Sequence, residues 1–184
     1  GATITEISAP DEALTVFENA LPVLPLEHSV AVTAGIAAPE NAPAVIESIE
    51  RAVSYSLSET ATGVVTNPIQ KSSLIASGFK FPGHTEFLAA LTTHAPMPNG
   101  RTRGPVMMLA GPALKTVPVT IHQSVASAAA DLNPDMIKRA AIVTAEALRF
   151  DFAITNPRLA ISGLNPHAGE AGALGHEDLS VIAP

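Results

Sequence analysis

With no cysteine among its 184 residues, the chain leaves its six histidines as the only soft metal ligands, and thiolate nucleophiles, thiolate metal sites and disulfides are excluded. Two of these histidines follow apolar runs that read as strands. His122 lies at the end of Thr116-Val117-Pro118-Val119-Thr120, with one residue between, and His167 lies in the polar, small-residue loop that succeeds Arg158-Leu159-Ala160-Ile161-Ser162. Two neutral imidazoles at separate strand ends can share a divalent cation, with one or two further ligands and a position left for substrate. The alternative is that each is an ordinary polar loop residue. Gly83-His84-Thr85 precedes an apolar helix, where N-terminal amides and a hydroxyl together suit a phosphate or carboxylate. A plain helix cap is the competing reading. Lys71 closes Thr66-Asn67-Pro68-Ile69-Gln70-Lys71, the segment after another strand, and is either an anchor or proton carrier for a charged substrate or a solvated lysine on a short helix. His28 and His94 sit in proline-rich loops and His176 lies past the site loop, so none of the three is assigned a role.

Other chemistries are missing from the pattern. Gly169, Gly172 and Gly175 form a G-x-x-G-x-x-G string, but a dinucleotide fingerprint needs G-x-G-x-x-G between strand and helix with an acidic residue about 20 positions later. There is no G-x-x-x-x-G-K-[ST] phosphate loop and no G-x-S-x-G nucleophile elbow.

The candidates need elements to hold them. Val45, Ile46, Ile49, Val53 and Leu57 recur at helical spacing within residues 40–57, opposite Glu47, Glu50 and Arg51, and predict an amphipathic helix. Ser29-Val30-Ala31-Val32-Thr33 and Gly63-Val64-Val65-Thr66 read as strands, and a short helix over Ser72 to Ala76 is ended by Gly78. Phe87 to Leu91 reads as a short apolar helix, and Thr92 to Pro105, with three prolines and two glycines, as an exposed loop. Val106 to Ala110 and Thr116 to Thr120 are expected strands, and Asn133-Pro134-Asp135 opens a helix running to about Phe150. Strands alternate with helices, so the expected class is α/β, in which ligands gather beyond the carboxyl ends of the strands.

Composition bounds the rest. At 47% hydrophobic and 15% charged residues, with mean hydropathy +0.30, the chain is globular rather than disordered. A formal charge of −7, from 10 Lys plus Arg against 17 Asp plus Glu with no basic cluster, argues against a nucleic-acid partner. No apolar run approaches the roughly 20 residues of a membrane span. Gly1-Ala2-Thr3 at one end and the apolar Leu179-Ser180-Val181-Ile182 at the other lead to the expectation of a fold incomplete at both ends.

Three segments in order, Gly83-His84-Thr85-Glu86-Phe87, Val106-Met107-Met108-Leu109-Ala110 and above all Gly163-Leu164-Asn165-Pro166-His167-Ala168-Gly169-Glu170, resemble the 4-hydroxythreonine-4-phosphate dehydrogenase (PdxA) family of vitamin B6 biosynthesis. Thr66 to Lys71 and the Ala-rich helix before Phe150 also match that family's pattern. The resemblance implies an α/β/α two-subdomain architecture of the isocitrate and isopropylmalate dehydrogenase type, with residues 1–75 in the first subdomain and 76–184 in the second. It implies a cytoplasmic homodimer with shared active sites, which binds NAD without a Rossmann fingerprint. It also implies a divalent metal, with zinc, magnesium and cobalt as candidates.

Carried onto this sequence, the resemblance makes His84 and Thr85 substrate-binding, His122 and His167 two of three metal ligands, and Lys71 a contributor to charge stabilisation or proton transfer. It assigns no NAD contact to a residue of this chain. The implied reaction oxidises the 3-hydroxyl of 4-phosphooxy-L-threonine and releases carbon dioxide to give 3-amino-2-oxopropyl phosphate, on the way to pyridoxal 5'-phosphate. Related readings are a dehydrogenase for a phosphorylated sugar acid or an aromatic dihydrodiol carboxylate, or a catalytically incomplete fragment. Two features depart from the pattern: the loop 92–105 is long, and Gln123-Ser124-Val125 follows His122 where a small apolar, proline-containing stretch is usual.

Overall fold

The computed structural model describes residues 2–36 and 38–184, which form two compact units, Gly1–Ala95 and Pro96–Pro184. The first opens with a small β-α-β arrangement. Strand β1 (Ile4–Glu6) runs parallel to β2 (Leu21–Val23) across the short helix α1 (Ala13–Phe17), with Ile4 opposite Leu21 and Glu6 opposite Val23. Pro22 is tolerated because β2 has a ladder partner on one side only, so its missing N–H costs no bond.

Helix α2 (Ala42–Leu57) is the backbone of this unit. Pro43 occupies its first turn, where an N–H has no intrahelical acceptor to lose. The apolar stripe read from the sequence faces inward: Ile49 and Val53 are buried with Phe87, and Val45, Ile46, Val64, Ile69, Leu88 and Leu91 pack around them. Phe79, Phe81 and Phe87 close the cluster, with ring centroids 5.0–5.3 Å apart and the Phe79–Phe87 pair edge-on at 85°. Helices α3 (Lys71–Ala76) and α4 (His84–Leu91) bracket these rings. Gly78 ends α3 in the left-handed region at φ +92°, and the Phe79 N–H bonds back to the Leu74 carbonyl at 2.9 Å. The rings tie 79–87 to α2, and the compact units divide between Ala95 and Pro96.

Residues 25–31 are bound to the first unit by side chains. Glu47 accepts the backbone N–H groups of Glu27 at 2.8 Å and His28 at 3.0 Å, and lies 2.8 Å from the His28 Nδ1. Arg51 donates to the Pro25 carbonyl at 2.6 Å and to Glu47 at 3.2 Å. Asn41 both accepts the Ala31 N–H and donates to the Ala31 carbonyl, at 3.0 and 2.8 Å. The backbone donors of Glu27 and His28, helped by the His28 and Arg51 side chains, hold the Glu47 carboxyl at a pKa of about 2.

In the second unit a two-residue antiparallel ladder joins β3 (Leu109–Ala110) to β4 (Lys115–Thr116). Helices α5 (Val125–Asp131) and α6 (Pro134–Phe150) follow. Ser124 caps the first by accepting the Ser127 N–H, and Asn133 caps the second by accepting the Met136 N–H at 3.0 Å. Helix α6 buries Ile137, Thr144 and Leu148, which share one face by their spacing. Residues 101–104 are strapped along it: Glu146 accepts the Thr102 N–H at 2.8 Å, Arg139 donates to the Arg103 carbonyl at 3.0 Å, and Arg101 pairs with Asp151 at 2.9 Å. A cleft of about 270 Å³, lined by Val106, Met108, Val143, Thr144, Ala147 and Phe152 among others, lies between residues 104–110 and α6.

The strands expected at 29–33, 63–66 and 158–162 are in no ladder among the described residues, and those at 106–110 and 116–120 shrink to the two-residue pair. Val32, Val65, Leu159 and Ile161 are exposed. Alternating apolar residues carry the propensity for a strand, but a ladder needs a second backbone in register, which local sequence cannot supply. No helix among the described residues is long and apolar enough to cross a membrane.

Candidate active site

The candidate residues fall into two sets, one in each unit. In the first unit Lys71 is the opening residue of α3, exposed, after a Gln70 N-cap that offers no side-chain bond. His84 and Thr85 are the first two residues of α4. Their N-cap is Gly83, which is buried and extended (φ −172°, ψ −173°) and has no side chain with which to cap. Gly83 thus gives the first-turn amides of α4 no capping acceptor, and the helix presents its positive end beside His84 and Thr85. The His84 Nε2 is buried without a hydrogen-bond partner. A buried ring nitrogen in that state is costly unless something polar meets it.

In the second unit His122 is exposed and sits at φ +56°, a region that few side chains other than Asn, Asp and His enter readily. His167 is carried by a tightly wound loop. The Asn165 side-chain oxygen accepts the His167 N–H at 2.7 Å and the Asn165 carbonyl accepts the Ala168 N–H at 3.0 Å, an Asx-turn that aims the chain at His167. The backbone then stays left-handed through Ala168, Gly169, Glu170, Ala171 and Gly172, with φ between +46° and +98°. Such a run costs free energy at every non-glycine position. The His167 ring is 68% exposed and its Nδ1 lies 3.7 Å from the Glu170 carboxylate.

Two exposed imidazoles in one unit have the donor chemistry for a divalent cation. The Glu170 carboxylate, at 3.7 Å from the His167 Nδ1, is beyond hydrogen-bond distance and does not fix the ring. Among the described residues no three His, Cys, Asp or Glu side chains, His122 and His167 included, converge into a metal cluster.

The glycine string 169, 172, 175 has its explanation here. All three glycines have positive φ, at +72°, +98° and +117°, so the spacing builds a left-handed turn and not a nucleotide fold. Sequence reasoning passed over Asp178, a buried carboxylate whose Oδ1 accepts the Leu164 N–H at 3.0 Å. Its only signal was an acidic residue just past the glycines.

The family model described as "Pyridoxal phosphate biosynthetic protein PdxA" matches residues 1–184. The chain belongs to the PdxA family. The 4-hydroxythreonine-4-phosphate dehydrogenase of Caulobacter vibrioides is 48% identical over 184 residues, which is all of this chain and 55% of that protein. That of a Ruegeria species is 47% identical over 173 residues, 94% of this chain and 51% of the relative. The crystal structure of the Klebsiella pneumoniae enzyme of that name superposes with a TM-score of 0.78 at 30% identity, over 100% of this chain and 54% of the other. The α/β class therefore stands, and the chain spans about half the length of the curated relatives it matches.

Proposed function

We propose that the protein to which this chain belongs is an NAD- and divalent-metal-dependent 4-hydroxythreonine-4-phosphate dehydrogenase acting in pyridoxal 5'-phosphate biosynthesis. The observation that carries the reading is the loop 163–172, where family membership over the whole chain coincides with a wound, strained backbone that holds His167 out to solvent. In the reaction, the C3–H bond of 4-phosphooxy-L-threonine breaks with transfer of a hydride to NAD, and the hydroxyl proton leaves to give a 3-oxo acid. The carboxylate carbon–carbon bond then breaks, carbon dioxide departs, and the electron pair left behind takes up a proton to give 3-amino-2-oxopropyl phosphate.

His122 and His167 are the residues of this chain that hold the cation. The bound cation supplies Lewis acidity that lowers the hydroxyl pKa and favours the developing carbonyl. His84 and Thr85 receive the phosphate end, where the first-turn amides of α4 add their partial positive charge. The ring nitrogen of His84, buried and unpartnered, then gains a polar neighbour. Lys71 contributes charge stabilisation or carries a proton. The working assembly is a homodimer with shared active sites and the isocitrate dehydrogenase-like two-subdomain architecture.

The test is NADH formation by the full-length protein with 4-phosphooxy-L-threonine, NAD and a divalent metal, with and without chelator. Chelator-sensitive turnover, lost in His122→Ala and His167→Ala, is expected. Binding of metal without turnover on this substrate refutes the substrate assignment and points to a relative acting on another phosphorylated or carboxylated alcohol. Unchanged turnover in Lys71→Ala removes Lys71 from the mechanism.

A further inference from the structure

The geometry points to Asp178 as the positioning residue of the His167 loop, an assignment that rests on the reading of His167 as a cation ligand. Asp178 is only 9% exposed, and a buried carboxylate is an expensive way to fill space, retained where its acceptor strength is used. Its Oδ1 reaches across fourteen residues to accept the Leu164 N–H at 3.0 Å. Both ends of the loop are shaped around this side chain. A Cβ on Gly163 would lie 2.8 Å from the Asp178 Oδ1 and 3.1 Å from the Asn165 carbonyl oxygen, so any side chain there would displace the carboxylate. A Cβ on Gly169 would lie 3.9 Å from the Asp178 Cβ and 2.7 Å from the Gly175 carbonyl oxygen.

Asp178 thus stands between the root of the loop at Gly163 and its return at Gly169. Leu164, fixed by the carboxylate, is followed directly by Asn165, and Asn165 in turn holds the His167 N–H at 2.7 Å. The direction of the His167 ring is set by this relay and not by packing, since the ring itself is largely exposed. Asp178 is itself fixed, because it begins the helical turn Asp178–Ile182 and its carbonyl accepts the Ala183 N–H at 2.9 Å.

Asp178→Ala removes the acceptor, and Asp178→Asn keeps an oxygen where Oδ1 stood. Both are compared with the parent in the full-length protein, by amide hydrogen exchange and by calorimetric titration with Zn²⁺ alone. In Asp178→Ala, exchange over residues 164–170 is expected to rise about tenfold with α6 unchanged, and Zn²⁺ affinity to fall by about tenfold, the usual scale for losing a residue that orients a ligand. Asp178→Asn is expected to retain both properties within about threefold of the parent. Unchanged exchange over 164–170 in Asp178→Ala overturns the assignment. So does exchange that rises equally in α6, or a variant that no longer folds, because the residue then serves the unit as a whole. An Asp178→Asn variant as impaired as Asp178→Ala also overturns it, since the acceptor would not be what matters. If the parent takes up no Zn²⁺, the cation reading of His167 fails on its own, and the exchange comparison still decides the role of Asp178.

Discussion

Gly169→Ala puts a methyl group where the loop has neither the backbone angle nor the room for one. At φ +72° an alanine pays about 1–2 kcal/mol for the left-handed region, offset by about 0.4–1 kcal/mol from the stiffer unfolded chain. The new Cβ would also lie 2.7 Å from the Gly175 carbonyl oxygen, a backbone atom that cannot swing aside, and overpacking of that kind costs about 1–3 kcal/mol. The sum is about 1–5 kcal/mol. Gly100 offers the control within the same unit: its φ is +64° and nothing lies within 4 Å of its would-be Cβ, so Gly100→Ala pays the backbone angle alone, about 1 kcal/mol. Urea denaturation followed by far-ultraviolet circular dichroism measures both variants against the parent. The expected order is parent, Gly100→Ala, Gly169→Ala, with about 1–3 kcal/mol between the two variants. Equal losses would refute the reasoning, because they would mean that the loop relaxes freely around residue 169 and is not wedged against Gly175.

Phe87→Ala removes the ring that meets both Phe79 and Phe81 and should destabilise the first unit by about 3–5 kcal/mol, read from the same denaturation curves. Thr144→Val replaces a buried hydroxyl that has no hydrogen-bond partner with an isosteric methyl, so it should leave the melting temperature unchanged or raise it, against the usual trend for a buried substitution. Glu47 has its carboxyl pKa lowered from 4.5 to about 2, so its contribution to stability is fully present above pH 4.5 and is lost as the pH falls toward 2. Glu47→Gln should flatten the fall in melting temperature across that window, and a variant that keeps the parent's acid profile would show that the clamp on residues 25–31 contributes nothing to it.

What could be read from the sequence was what depends on near neighbours along the chain. Helix α2 follows from its apolar spacing, and α6 from the Asn133-Pro134-Asp135 start, because capping and amphipathicity are written within one or two turns. The apolar run Phe87 to Leu91 marked α4, which begins three residues earlier at His84. What could not be read depends on partners far away. Residues 63–66 have every local mark of a strand and no ladder, while Val64 and Ile69 join the core from irregular backbone. The Asp178 to Leu164 bond spans fourteen positions with no pattern to announce it. The three glycines were visible, and their spacing already failed the dinucleotide fingerprint, but positive φ is a property of the folded loop.

The unpaired apolar runs have a consequence for handling the chain in the laboratory. Val64-Val65-Thr66 and Leu159-Ala160-Ile161 are short, rich in β-formers, uncharged and outside any ladder among the described residues, which is the profile of a segment that recruits a second chain edge to edge. Each is flanked by residues that oppose such pairing: Asn67-Pro68 directly after the first, Pro157-Arg158 directly before the second. Proline withholds an N–H from a growing sheet and arginine brings charge to its edge, so Pro68, Pro157 and Arg158 are placed where they oppose such pairing.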